Sequence, residues 1–236
     1  MFNVVSWNVC GLGNPVKRQK VLSHLSRLNS HIACIQETHC NDVEALKLRR
    51  QWVGQVVFSP ANDRRGGVAI LFHKSLNVQI VSTECDGDGR WVIANVIIQN
   101  KHISVFNIYG PVKPDPDFWN GVKTKLMSLN NTNVIVSGDF NQWLDPFSDR
   151  NSKFKFNPDK THKAFLSAIT SRPLYDTWKT CNPDKQEYTF FSNVHKTQSR
   201  IDYILVSKSL LPSLHSSEIG SIFISDHAPV ISSCDL

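Results

Sequence analysis

Long apolar runs are missing from this 236-residue chain. No stretch approaches the ~20 consecutive apolar residues of a membrane-spanning helix, so no membrane partner is expected. The N-terminus, MFNVVSWNVCGLGN, has no basic leader followed by an apolar core and a small-residue cleavage site, and secretion is not expected. The six cysteines contain no CxxC pair and read as free thiols in a reducing, intracellular compartment. A zinc site from His31, Cys34, His39 and Cys40 is set aside, because the strand pattern IACIQ sends Cys34 and its neighbours to alternate faces. No repeat, low-complexity tract or Gly/Pro/Ser-rich linker divides the chain, so residues 1–236 read as one domain. Neither a G-x-S-x-G elbow nor a Walker loop is present, which argues against acyl transfer and P-loop chemistry.

What is there is an ordinary globular composition, 41% hydrophobic and 19% charged, with a formal charge of +6 and a pI near 9.0. The basic balance favours an acidic partner such as nucleic acid, though charge alone is a weak pointer. Short β-branched runs dominate: FNVVSW, HIACIQ, GQVVFS, GGVAILF, VQIVS, RWVIANVII, ISVFNIY, TNVIVSG, YTFFS, RIDYILVS and IGSIFIS. Each reads as a strand. Helical spacing predicts helices over 16–29, 42–52, 117–129 and 159–170. About a dozen strands with four helices imply two packed, largely antiparallel sheets flanked by helices. The DGDG at 86–89 lacks the Glu of a calcium loop and reads as a hairpin turn. The sequon at Asn130 has no meaning for a chain outside the secretory path.

Polar residues end or interrupt these runs with unusual regularity. Asn8 follows NVVSW, Glu37 follows IACIQ, and Asn107 and Tyr109 close ISVFNIY. Asp139 and Asn141 follow NVIVSG, Asp202 interrupts RIDYIL, and Asp226 with His227 follows SIFIS. Any one of them suits a turn or cap, but together they look like a site built on a rigid scaffold. Carboxylate and amide oxygens suit a hard cation such as Mg²⁺, and a cationic imidazole suits a phosphate gaining charge. The inventory fits metal-assisted phosphoester hydrolysis.

The ordered pieces SWNVCGL (6–12), CIQETH (34–39), RRGGVAILF (64–72), FNIYGP (106–111), SGDFNQWLDPFSDR (137–150), EYTFFS (187–192), SRIDYIL (199–205) and ISDHAPV (224–230) span nearly the whole chain. With them the sequence resembles the endonuclease/exonuclease/phosphatase superfamily, and more closely the apurinic-type endonuclease domain of LINE (non-LTR) retrotransposons. The resemblance implies a four-layered, DNase-I-like α/β sandwich with the site where two mixed, mostly antiparallel sheets meet. It implies Asn8 and Glu37 as metal ligands for Mg²⁺, with Mn²⁺ able to substitute. Tyr109 is then the phosphate-contacting phenol, and Asp139 with Asn141 activates and orients water or steadies the leaving oxygen. Asp202 is a second Asp near the metal, and Asp226 orients the His227 that contacts the scissile phosphate.

Arg150, Thr189, Asn193, His195, Lys196, Ser199, Ser225 and His39 are the expected DNA contacts, and the tip 193–198 of a hairpin is the expected reader of the minor groove. The implied activity is nicking of one strand of duplex DNA in the nucleus, leaving a 3′-hydroxyl that primes reverse transcription. The implied setting is the N-terminal part of a polyprotein that also carries a reverse transcriptase and binds the element's RNA, with the excised domain monomeric. The alternatives are an apurinic/apyrimidinic repair endonuclease, an inositol or lipid phosphoesterase, and a catalytically dead DNA-binding module.

Overall fold

The β-branched runs do form strands, and their ends converge. The computed structural model describes residues 1–61, 66–151, 156–194 and 196–235. In chain order the strands are β1 (Phe2–Asn8), β2 (Ser30–Gln36), β3 (Val53–Ser59), β4 (Val68–His73), β5 (Gln79–Cys85), β6 (Trp91–Ile98), β7 (Lys101–Tyr109) and β8 (Asn133–Asp139). They continue with β9 (Leu174–Asp176), β10 (Phe190–Ser192), β11 (Thr197–Ser199), β12 (Asp202–Ser207), β13 (Leu214–Ile219) and β14 (Val230–Cys234). The helices are α1 (Pro15–Arg27), α2 (Asp42–Leu46), α3 (Pro116–Ser128), α4 (Lys160–Ile169) and α5 (Thr177–Cys181).

Two six-stranded sheets result, ordered β13-β14-β1-β2-β4-β3 and β5-β6-β7-β8-β12-β9, with β10-β11 as a separate hairpin. The β1–β2 and β7–β8 pairs are parallel and the others antiparallel. Three apolar clusters explain the layering. One lies between the sheets, from Val4, Ile32 and Ile70 to Val96, Val105 and Ile135. A second seats the Val21, Leu22 and Leu25 face of α1 on the first sheet. A third seats Trp119, Val122, Leu126 and Phe165 of α3 and α4 on the second. The order is therefore helix, sheet, sheet, helix, the expected α/β sandwich.

Polar struts cross the interface between the sheets. Asn107 on β7 accepts from Gln36 Nε2 at 2.7 Å and donates to the carbonyls of Ile35 at 2.9 Å and Ala69 at 3.0 Å, tying β7 to β2 and β4. Asn107 thus holds the sheets in register. Near the other edge, Thr177 Oγ1 contacts Ser232 Oγ at 2.8 Å and donates to the Ile204 carbonyl at 2.9 Å.

Two expectations need correction. The run IGSIFIS is not a strand: the sheet ends in the serine-rich β14 and, at its edge, β13, and residues 220–229 loop between them with Ile222 and Phe223 exposed. The helix expected over 42–52 stops at Leu46, a short turn fixed by an Asn41/Glu44 capping box. The chain turns after it, with Gln51 left-handed at φ +59°.

Candidate active site

The site forms because parallel and antiparallel pairing bring several strand ends to one rim. Tyr109, the last residue of β7, lies in register with Asp139, the last of β8, and Asp139 pairs with Asp202, the first of β12. Asn8 ends β1 on the facing sheet, and Glu37 follows β2 in a left-handed conformation, φ +50°. Gly138 has φ +147°, and a Cβ there would sit 1.8 Å from the Ile108 carbonyl oxygen, so only glycine lets β8 close on β7 beside Asp139.

Asn8 links the two lobes. Its Nδ2 donates to Glu37 Oε1 and to Asp139 Oδ2, both at 2.9 Å, while its Oδ1 accepts from Cys10 N–H at 3.0 Å. The expected metal ligand therefore presents its amide nitrogen to the carboxylates, because its oxygen is held by the Cys10 amide. Asn141, also left-handed at φ +49°, donates its backbone N–H to Asp139 Oδ1 at 2.9 Å and its side-chain amide to the Gly110 carbonyl at 3.1 Å.

His227 is almost completely buried, and its Nδ1 lies 2.9 Å from Asp202 Oδ2. Its Nε2 is 3.9 Å from Asp139 Oδ2, and its carbonyl accepts from the Trp7 indole at 2.9 Å. Phe190 packs on the imidazole with ring centroids 4.7 Å apart. The carboxylate that holds His227 is thus Asp202, not the adjacent Asp226. Asp226 points to solvent and accepts from Ser225 Oγ at 3.3 Å. Neighbours in an irregular loop face different ways, and here the buried partner comes from the opposing sheet.

The electrostatics follow from burial opposed by close charges. Burial alone would lower the His227 pKa, but Asp202 and Asp139 raise it to about 10. Burial pushes the Asp139 carboxyl above the usual range, with Asp202 adding to the effect and the His227 charge opposing it. Burial would also raise Glu37, yet hydrogen bonds from His39, Asn8 and Tyr109 hold it at about 2. The Tyr109 phenol is pushed well up by burial and by the Glu37 charge.

The donor chemistry suits a hard divalent cation. Ligand atoms of Asp139, Asp202 and His227 lie within 4.8 Å of one another. The His227 imidazole is paired with Asp202, which leaves Glu37, kept ionised by its hydrogen bonds, as the carboxylate that lines the cleft.

The expected DNA contacts divide. Thr189 is fully buried, and its hydroxyl accepts from Ile201 N at 3.1 Å and Asp202 N at 3.2 Å, so it positions Asp202 and presents nothing to a ligand. Ser225 donates to the Asn8 carbonyl at 2.7 Å and fixes the His227 loop. Both are scaffold residues because their hydroxyls are spent on backbone. His39 stands beside Glu37, Nε2 to Oε2 3.5 Å. Asn193 and Lys196 are exposed at the tip of the β10–β11 hairpin, and Ser199 at its base bridges to Arg150. His195 lies outside the described residues, as do Arg64 and Arg65. The Arg150 guanidinium is stacked 4.8 Å from the Trp143 ring centre.

Sequence reasoning passed over Arg90. Its guanidinium lies 4.9 Å above the Tyr109 ring, its buried Nη1 has no hydrogen-bond partner among the described residues, and it lines a cleft of about 450 Å³ with Glu37, His39, Tyr109 and Lys113. The signal was a cation immediately after the DGDG turn.

Two face-to-face sheets with carboxylates, an amide and a buried imidazole gathered at their common rim define the class of protein. The chain belongs to the Endonuclease/Exonuclease/phosphatase family, whose pattern it matches over residues 5–227. It is 28% identical over 231 residues to the Transposon TX1 uncharacterized 149 kDa protein of Xenopus laevis; the match takes in 95% of this chain and only 17% of that protein. It is 26% identical over 262 residues to the DNA repair nuclease APEX1 of Danio rerio, across 96% of this chain and 80% of that one. Its fold superimposes on the AP endonuclease LMAP of Leishmania major with a TM-score of 0.80 at 16% identity, covering 100% of this chain and 88% of that one.

Proposed function

We propose that the chain is a Mg²⁺-dependent DNA endonuclease that nicks one strand of duplex DNA to leave a 3′-hydroxyl and a 5′-phosphate. In a longer retrotransposon protein, that hydroxyl primes reverse transcription of the element's RNA. The observation that carries the reading is the placement of Asp139 between two lobes, bonded to Asn8 on the Glu37 side and 3.9 Å from His227 Nε2 on the other.

Glu37 would hold the cation, whose charge would lend Lewis-acid stabilisation to the phosphate oxygens. Asp139, with its basicity raised by burial, takes the proton of the attacking water, and Asn141 fixes that carboxylate through its N–H. The water oxygen bonds to phosphorus as the P–O3′ bond breaks, and the leaving 3′ oxygen takes up a proton from solvent. His227, cationic against Asp202, directs its Nε2–H at the non-bridging oxygen whose charge grows. Tyr109 and Arg90 flank the same phosphate.

The test is nicking of supercoiled plasmid with Mg²⁺ in parallel with hydrolysis of an inositol phosphate. Nicked circles with no phosphate release support the reading, and the converse assigns the chain to the phosphatase branch. A repair endonuclease is the second reading, favoured by the likeness to APEX1. It requires strong preference for an abasic duplex over the intact one.

A further inference from the structure

A second groove, of about 890 Å³, runs along α1 away from the cleft. One wall is the exposed face of α1, with Lys17, Lys20, His24 and Arg27; the other is Phe223 and Ile224 of the loop that carries His227. No carboxylate lines it among the described residues. Both walls start at the candidate active site. Lys17 Nζ donates to the Cys10 carbonyl at 2.7 Å, Cys10 N–H donates to Asn8 Oδ1, and Ser225, next to Ile224, donates to the Asn8 carbonyl.

The groove combines two recognition chemistries. Lys20 and Arg27 are exposed, and from Lys17 to Arg27 the helix rises about 15 Å, enough to follow a strand across several nucleotides. Phe223 remains 59% exposed although it lies edge-on to His24 at 4.6 Å and near Trp7 at 6.4 Å. Those contacts fix the ring and leave it open to solvent. A row of cations beside an open aromatic face suits a single strand, whose phosphates pair with the cations while an unstacked base covers the ring. A duplex keeps its bases inside and has no face to offer Phe223. An acidic peptide would meet the cations and leave the ring bare.

We propose that this groove holds a single strand of nucleic acid continuing from the cleft, its phosphates on Lys17, Lys20 and Arg27 and a base on Phe223. The proposal rests on the reading of the cleft as a DNA site and adds a destination for the strand that the nick frees.

The experiment measures affinity by fluorescence anisotropy in EDTA, with the full chain and a labelled hairpin duplex, either blunt or carrying a thymidine overhang of about 10 nucleotides. The overhang should tighten binding by wild type, and the Lys20→Glu/Arg27→Glu double variant should lose that gain. Phe223→Ala should lose about tenfold of it. Each removed cation should flatten the salt dependence of overhang binding by about 0.7 in log–log slope. A uridine overhang gives the RNA arm, and a gain with either sugar meets the proposal. No gain from either overhang, a gain that survives the double variant, or equal competition by polyglutamate overturns it. Plasmid nicking keeps the two readings apart. The double variant should nick as wild type does, whereas a wild type that never nicks overturns the cleft reading without touching the binding measurement.

Discussion

His227 Nδ1 lies 2.9 Å from Asp202 Oδ2, although Asp226 is its neighbour in sequence and Asp202 is 25 positions away. Asp202 starts β12 directly opposite Asp139, and Thr189 holds the backbone N–H of Asp202. The imidazole is therefore oriented by the second sheet while its own loop is anchored to the first through Trp7 and Ser225. The dyad doubles as a clasp between the sheets.

Substitution should separate the two aspartates. Asp202→Asn leaves the volume but removes the charge that keeps His227 cationic and fixed, and should cost about 10²–10⁴ in nicking rate. Asp226→Ala should stay within a few-fold, since its side chain faces water. Single-turnover nicking of both variants, with ¹⁵N shifts of the His227 ring as a second readout, checks the assignment. Equal losses in the two would contradict it.

The same ion pair makes stability depend on pH. The folded-state pKa of His227 is raised to about 10 against an ordinary 6.5, so its contribution is complete below pH 6.5 and declines as pH rises through 10. In EDTA, the Tm difference between wild type and His227→Gln should be largest near pH 6 and shrink steadily toward pH 10. A difference that grows with pH would reverse the sign of the argument.

Asn107 is a structural prediction independent of any chemistry. Removing its side chain deletes three buried hydrogen bonds at once, one of the three made by Gln36 Nε2 and those to the Ile35 and Ala69 carbonyls. Asn107→Ala should cost about 3 kcal/mol. Urea unfolding should show a lower midpoint at unchanged slope. A loss under about 0.5 kcal/mol would mean that water replaces the strut.

On the proposed reading, target choice should reside in the β10–β11 hairpin, whose tip residues Asn193 and Lys196 are exposed. The hairpin is tied at its base by Phe190 on His227 and by Ser199 on Arg150, so its tip can change without disturbing the site. Replacing residues 193–196 with a Gly/Ser turn preserves the pairing of Ser192 with Thr197. Mapped nick positions should scatter while cleavage of an already distorted duplex survives. Unchanged positions would take the hairpin out of site selection.

Most of the scaffold was legible because consecutive β-branched residues mark strands buried on both faces, as in β6 and β8. The residues at their ends, Asn8, Tyr109, Asp139 and Asn141, do share one rim. What failed did so for physical reasons. IGSIFIS has strand composition, but residues 220–229 loop across the rim, and the flanking strands β13 and β14 are disguised by serines, among them the Ser232 that bonds across the sheets. Which carboxylate faces His227 depends on the register between β8 and β12, a long-range property that adjacency in sequence does not report. Thr189 and Ser225 were expected to touch DNA because the backbone groups that occupy their hydroxyls come from other segments of the chain. Arg90 was hidden in a turn whose glycines drew attention to backbone shape.

The most direct test of the central claim is the chemistry of the ends left on a nicked plasmid. After incubation with Mg²⁺, each nick should be extendable by a DNA polymerase without prior processing and sealable by a ligase, and both signals should vanish in Glu37→Ala and Asp139→Asn. Nicks that need a phosphatase before extension, or nicking that persists undiminished in both variants, would contradict the account.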